Sequence, residues 1–250
     1  MSMILEICVD TLASVQTCAR AGADRIELCA GLVEGGTTPS IGLLHAARGL
    51  FAGKIMAMLR PRAGDFVYSA EEFALMLREI DFLRQHGADG IVCGLLSPDG
   101  TIDGGRLERI VERCAGLDFT FHRAFDVSRD LPESLEALIA HGVPRVLTSG
   151  GQPDVSRGLD ALSQLNKQAA GRIRILPGGG VTPQLIPEII RRSGATEIHL
   201  SARAAVPSPM AYRRPDIPMG AASVPGEYER KTASEPIIRA AREALLGTRS

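Results

Sequence analysis

Short runs of strand-favouring residues alternate along this chain with stretches of helical periodicity. Ile4 to Val9, Arg25 to Cys29, Lys54 to Leu59, Gly90 to Leu95, Asp118 to His122, Arg145 to Thr148, Ile173 to Leu176 and Glu197 to Ser201 read as eight strands. Helices fill the intervals. Thr11 to Ala21 is halted by Gly22, and a helix opens at Pro39 after the loop through Glu34, Gly35 and Gly36. Ser69 with Glu72 three residues on forms a capping box for a helix that runs to about His86. Thr182 and Pro183 serve as cap and first-turn residue for the helix after strand seven. The alternation predicts a parallel sheet with helices packed outside it.

A weak internal repeat organises the strands. Gly22-Ala23-Asp24-Arg25-Ile26, Gly87-Ala88-Asp89-Gly90-Ile91, Gly142-Val143-Pro144-Arg145-Val146 and Gly194-Ala195-Thr196-Glu197-Ile198 precede strands two, four, six and eight. A βαβα unit used four times predicts a closed TIM (β/α)8 barrel of the α/β class. An open doubly wound sheet is the competing arrangement, and the even recurrence favours closure. The fifth residue of each repeat is Ile or Val, the parity that belongs beneath the helices. The opposite parity faces the barrel interior. It carries Glu6, Cys8, Glu27, Cys29, Met56, Met58, Arg60, Thr120, His122, Ser149, His199 and Ser201.

The pattern breaks after strand eight. Val206 to Gly226 holds five prolines and little periodicity, which reads as an ordered arm or lid. Ser234 as cap and Pro236 in the first turn then open a last helix that stops at Gly247. The chain thus reads as a single domain over residues 1–250: a barrel to about residue 205, then a proline-rich C-terminal arm and final helix over 206–250. Its 250 residues suit one such barrel. A formal net charge of −1 leaves no electrostatic footprint for nucleic acid or an anionic membrane. No apolar run is long enough to span a bilayer, and Glu6 and Asp10 inside the first apolar stretch argue against a signal peptide. Five cysteines at irregular spacing argue against a disulfide framework and for a reduced, cytoplasmic protein.

Three constellations share the predicted mouth of the barrel. Glu6, Glu27, His122 and His199, with Asp126 nearby, could act as general acid and base, ligate a divalent metal, or simply hydrogen-bond one another in a polar core. Gly178, Gly179 and Gly180 follow strand seven directly, and strand eight ends at Ser201. Barrel loops at these places commonly cradle phosphate; Ser149 could extend the cradle, and Arg60 and Arg62 could contact an anionic group. The same glycines also suit plain tight turns. Cys8 and Cys29 lie on neighbouring strands, both inward, with Met58 on the next. Such thiolate and thioether groups select copper(I), although free cysteine is also an ordinary core residue. Cys18 and Cys114 fall in helices and Cys93 has the outward parity, so these three read as structural.

Longer blocks carry a resemblance. Leu5-Glu6-Ile7-Cys8, Arg25-Ile26-Glu27-Leu28-Cys29, Glu34-Gly35-Gly36-Thr37-Thr38-Pro39-Ser40 and Arg60-Pro61-Arg62-Ala63-Gly64-Asp65-Phe66 resemble the copper homeostasis protein CutC family. So do Thr120-Phe121-His122-Arg123-Ala124-Phe125-Asp126, Val146-Leu147-Thr148-Ser149-Gly150 and Ser208-Pro209-Met210-Ala211-Tyr212-Arg213. The resemblance runs over nearly the whole chain. It implies a cytoplasmic TIM barrel, often homo-oligomeric with a dimer favoured, whose role lies in copper homeostasis through copper(I) held at Cys8 and Cys29. One block departs: the family's usual Ala-Gly-Ala-Gly-Val loop appears here as Pro177-Gly178-Gly179-Gly180-Val181.

Two Glu, two His, two Arg and a Gly-rich loop form more apparatus than a metal store needs. The residues therefore also support an enzyme acting on a small phosphorylated or carboxylated molecule. In that reading Arg60 and the Gly178–Gly180 loop hold the anion while Glu27 or His122 moves a proton. A third reading is an interaction protein that assembles through the arm from Val206 to Gly226.

Overall fold

The computed structural model describes residues 3–217 and 226–248. Eight strands run parallel: β1 (Ile4–Val9), β2 (Arg25–Leu28), β3 (Lys54–Met58), β4 (Gly90–Cys93), β5 (Asp118–Phe121), β6 (Arg145–Thr148), β7 (Arg174–Pro177) and β8 (Glu197–Leu200). Their order is β7-β6-β5-β4-β3-β2-β1-β8. β7 and β8, the two ends of that order, lie side by side and bring the sheet to near closure as a TIM barrel. The helices α1 (Leu12–Ala21), α2 (Ile41–Leu50), α3 (Ala70–Gln85), α4 (Gly104–Arg113), α5 (Leu131–Ala140), α6 (Leu159–Ala169) and α7 (Ile186–Ser193) follow the first seven strands in turn. None of the helices among the described residues is long and apolar enough to cross a membrane.

Local chemistry explains where these helices start. Thr11 accepts a hydrogen bond from Ser14 N–H, and Ser69 with Glu72 forms the reciprocal capping box. The helix expected at Pro39 begins two residues later because Ser40 is the cap, accepting from Leu43 N–H at 3.1 Å. Thr182 makes no side-chain cap bond; a 3₁₀ turn over Pro183–Leu185 intervenes before α7.

The repeat has a physical basis. Gly22, Gly87, Gly142 and Gly194 have φ of 79°, 102°, 71° and 68°, the left-handed region in which a helix ends without a Cβ penalty. Asp24 then accepts from Leu5 N–H at 2.9 Å, and Asp89 from Ile55 N–H at 2.8 Å. In both units the same residue pins the start of the preceding strand.

Two apolar shells follow the parity read from the sequence. Leu5, Ile7, Ile26, Ile91, Phe119, Phe121, Val146 and Ile198 pack outward against helix residues that include Val15, Leu44, Ile80, Leu138 and Ile189. Inside the barrel, Cys29, Met56, Met58 and Val92 form a separate small cluster with Leu32 against it.

Below that cluster, the strand origins make a charged floor. Arg25 bonds both Glu6 and Glu197. Arg145 donates to Glu197 at 2.8 Å, Thr120 at 2.9 Å and Asp118 at 2.9 Å. All of these side chains except Asp118 are buried, so each charge persists only because its partners are present.

The segment read as an irregular arm has regular ends. β9 (Arg203–Pro207) and β10 (Glu229–Ala233) pair antiparallel as a two-stranded ribbon separate from the eight-stranded sheet. Both strands are largely exposed and carry no inward apolar parity, which is why the pattern hid them. Ala233 N–H donates to Ser14 Oγ and Ser234 N–H to Ala202 O, tying the ribbon's base to α1 and the end of β8. Ser234 makes no side-chain cap bond, and Pro236 opens the final helix, α8 (Glu235–Gly247). Residues 218–225 of the expected arm lie outside the described residues.

Candidate functional site

The C-terminal ends of the strands surround a cavity of about 200 Å³. β1 supplies Cys8, β2 Glu27, β3 Met58 with Arg60 just beyond it, β6 Leu147 and β8 His199, while His122 follows β5 directly. All seven have the inward parity. A larger surface groove of about 660 Å³ between α3 and α4 is lined by arginines, apolar residues and Glu112, with no His or Cys. The chemistry lies in the mouth.

His199 stands between two carboxylates. Its Nδ1 lies 2.7 Å from Glu6 Oε1, and its Nε2 lies 3.9 Å from Glu27 Oε2. Burial opposes a charged imidazole here, but Glu27, then Cys8 and Glu6, outweigh it and hold its pKa well above the usual histidine value. Burial also pushes the Glu27 carboxyl up, with His199 pulling the other way. Glu6 runs in the opposite sense: burial would raise it, but Arg25 and the bond from His199 hold it well below the usual carboxylate range. Cys8, Glu27 and His199 together offer one sulfur, one oxygen and one nitrogen, all within 4.8 Å of one another and all buried.

His122 is the counterpart of His199. Its Nδ1 accepts from Ala124 N–H at 3.1 Å, so the ring proton sits on Nε2. Burial, helped by the Arg60 charge, pushes its pKa down to about 3, which keeps the ring neutral. The Phe66 ring packs 5.0 Å away. Gly94 leaves the space that the imidazole fills, since a Cβ there would collide with His122 Nδ1. Arg60 lies 5.1 Å over the same Phe66 ring and donates to the carbonyls of Glu34 at 2.9 Å, Gly36 at 3.0 Å and Gly64 at 2.8 Å.

Several expected site residues are engaged elsewhere. The Asp126 carboxylate accepts from Arg123, Thr148 Oγ, Ser149 and Gly151 N–H, which consumes it as a clamp between two loops. Ser149 is part of that clamp. Arg62 turns outward to Glu72 at 2.6 Å and Asp65 at 3.1 Å, away from the mouth. Gly178 packs beside His199 and Leu147, Gly179 against Arg123 and Gly180 against Asp154, so this loop forms a wall and does not line the cavity. Ser201 lines a different hollow, with Thr182 and Pro236. Cys29 sits behind the donor group, its sulfur donating to Glu27 Oε2 at 3.6 Å. Burial pushes its thiol well up, and the neighbouring Glu27 adds to the effect.

One charged cavity residue, Arg203, escaped the sequence reading of the site. Arg203 lines the mouth although it follows β8 in what reads as the start of the arm. No parity signal reaches it, because β8 ends at Leu200 and Ala202, with φ of 46°, breaks the alternation between the two strands. Arg123 also lines the mouth, anchored on Asp126 at 2.6 Å and Ser149 at 2.8 Å.

Comparison with known proteins bears on this arrangement. The model of the CutC family matches residues 3–204. The chain belongs to the CutC family. A family protein CutC from Porphyromonas gingivalis is 46% identical over 247 residues, covering 99% of this chain and 100% of that protein. A Homo sapiens protein named copper homeostasis protein cutC homolog is 43% identical over 236 residues, covering 94% of this chain and 86% of its own. Among solved structures, a CutC protein of Streptococcus agalactiae superposes with a TM-score of 0.75 at 32% identity, over 80% of this chain and 98% of that one. The CutC match ends at residue 204, within the first strand of the β9–β10 ribbon.

Proposed function

We propose that the protein serves copper homeostasis by holding a copper(I) ion in the mouth cavity, with Cys8 and His199 as principal ligands. The observation that carries this is the compact Cys8, Glu27 and His199 donor group in a chain of the CutC family. Thiolate and imidazole suit copper(I), and the Met58 thioether lines the same cavity. Ligation requires the Nε2 proton of His199 to leave. The Nδ1 bond to Glu6 already turns Nε2 toward the other donors, the carboxylate–histidine arrangement that supports metal ligation. Cys29 joins as a second thiolate only after it gives up its bond to Glu27. The Glu27 oxygen also gives a divalent metal a foothold as a second occupant.

The same reading places the protein in the cytoplasm, where its five free thiols stay reduced. It also has a second copy, as a homodimer, covering the exposed Val206, Met210, Tyr212 and Ile217 of the arm. Anaerobic titration with copper(I) against a competing chelator tests the central claim. One tight equivalent is expected, lost in Cys8→Ser, weakened in His199→Asn and unchanged in a Cys18→Ser control. Tight binding that survives Cys8→Ser overturns it.

A further inference from the structure

Among the described residues, five buried side-chain polar atoms have no hydrogen-bond partner: Glu27 Oε1, Arg60 Nε, Tyr68 Oη, His122 Nε2 and Arg203 Nε. Four of the five belong to residues that line the one mouth cavity. Buried polar groups are nearly always paired, so four unpaired atoms around a single hollow mark a place where something else supplies the partners.

The unpaired atoms differ in kind. Arg60 and Arg203 each present a guanidinium N–H, and neither has a carboxylate within ion-pair distance among the described residues. His122 adds a third N–H donor, because its Nδ1 is already occupied as an acceptor. Glu27 Oε1 is the one acceptor-type atom. Leu32, Met58, Phe66 and Leu147 give the cavity apolar walls, and Cys8, Gly35, Arg123 and His199 complete its lining. A cavity of about 200 Å³ has room for a small organic molecule and is far larger than a single ion needs.

We infer that the mouth cavity binds a small hydroxylated organic oxyanion, a carboxylate or a phosphate ester. Its anionic oxygens lie on the Arg60, Arg203 and His122 donors, and its hydroxyl donates to Glu27. Fixed guanidinium donors favour an oxyanion over a neutral ligand, and the unpaired Glu27 oxygen favours a ligand that also carries a donor. The Phe66 and Leu147 walls accommodate a short carbon skeleton. This inference uses atoms that the copper site leaves free, apart from Glu27, and does not rest on the copper reading.

The test uses the full chain, stripped of copper, with four probes: inorganic phosphate, glycerol 3-phosphate, malate and glycerol. Calorimetry and thermal unfolding should show binding and stabilisation by glycerol 3-phosphate or malate, with glycerol inert. Which of the two binds tells phosphate ester from carboxylate. Arg203→Gln, on the rim and outside the apolar core, should weaken that binding by roughly tenfold to a hundredfold and leave the unliganded unfolding temperature unchanged. The Nε2 resonance of His122 in ¹⁵N-histidine-labelled protein should move on ligand addition, a response that a purely structural imidazole would not give. Failure of all four probes to bind, the outcome expected if water alone fills the cavity, overturns the inference. So does binding that neither Arg203→Gln nor Arg60→Gln weakens. Copper(I) titration of the same preparations reads the copper proposal separately, so either can fail alone.

Discussion

Glu6 and His199 are register partners across the β1–β8 seam, and their side chains meet at 2.7 Å. The pairing that joins the first and last strands of the barrel therefore also orients the imidazole of the candidate site. The second oxygen of Glu6 bonds Arg25 in the floor, so one carboxylate belongs to both.

Glu6→Gln should accordingly cost roughly 3–5 kcal/mol in urea unfolding, because it leaves Arg25 short of a buried counter-charge. The folded pKa of Glu6 lies below its ordinary value of 4.5. Its contribution is therefore complete above that pH and is lost as pH falls further. The variant should show a shallower acid dependence than the wild type, together with a lowered His199 pKa in an NMR titration. An unaltered His199 titration would refute the assigned pairing.

His122 produces a pH dependence in a different window. Its pKa falls from 6.5 to about 3 on folding, so the unfolded chain binds a proton that the folded chain refuses. Stability should drop as pH falls through that interval, by about 1.4 kcal/mol per pH unit at most. His199 has the opposite sign: its raised pKa stabilises at low pH, and that gain is lost as pH rises through the raised value. His122→Asn, which keeps an acceptor for Ala124 N–H, should remove the His122 component and leave the other. Denaturant midpoints measured between pH 4 and pH 7 would show whether the slope changes.

Gly94→Ala tests the packing behind His122. The added methyl would collide with the ring and lie 2.8 Å from the Ala124 Cβ. We expect a loss of about 1–3 kcal/mol from overpacking and a displaced His122 resonance. Wild-type stability in this variant would mean that the ring is free to relocate.

Glu197→Gln should separate floor from mouth. It leaves Arg25 and Arg145 without their shared carboxylate and should cost roughly 3–5 kcal/mol. Copper(I) affinity of the folded variant should match the wild type, since no floor residue other than Glu6 touches the cavity groups.

The barrel and its interior faces were legible because the two signals that encode them are local. A glycine that ends a helix and an alternating apolar parity can both be read from neighbouring residues. That logic placed Glu6, Glu27, Met58, Arg60, His122 and His199 inward, where they are found. It could not say which inward groups are already satisfied. Asp126 and Ser149 bond each other across 23 residues of sequence, and Cys29 spends its proton on Glu27. The floor was missed for the same reason. Arg25, Arg145 and Glu197 look like ordinary charged strand starts until strands separated by up to 172 residues bring them together. The β9–β10 ribbon was missed because its strands are largely exposed and lack the alternating apolar parity of the barrel strands.

The ion-paired floor also decides how traffic through this molecule must run. A barrel stoppered by interlocked guanidinium and carboxylate groups is a vessel with one opening. Whatever reaches Cys8 or His199 passes the rim formed by Arg60, Phe66 and Arg203, and it departs by the same route. The rim residues are then the first groups that any solute entering the cavity meets, ahead of sulfur and imidazole.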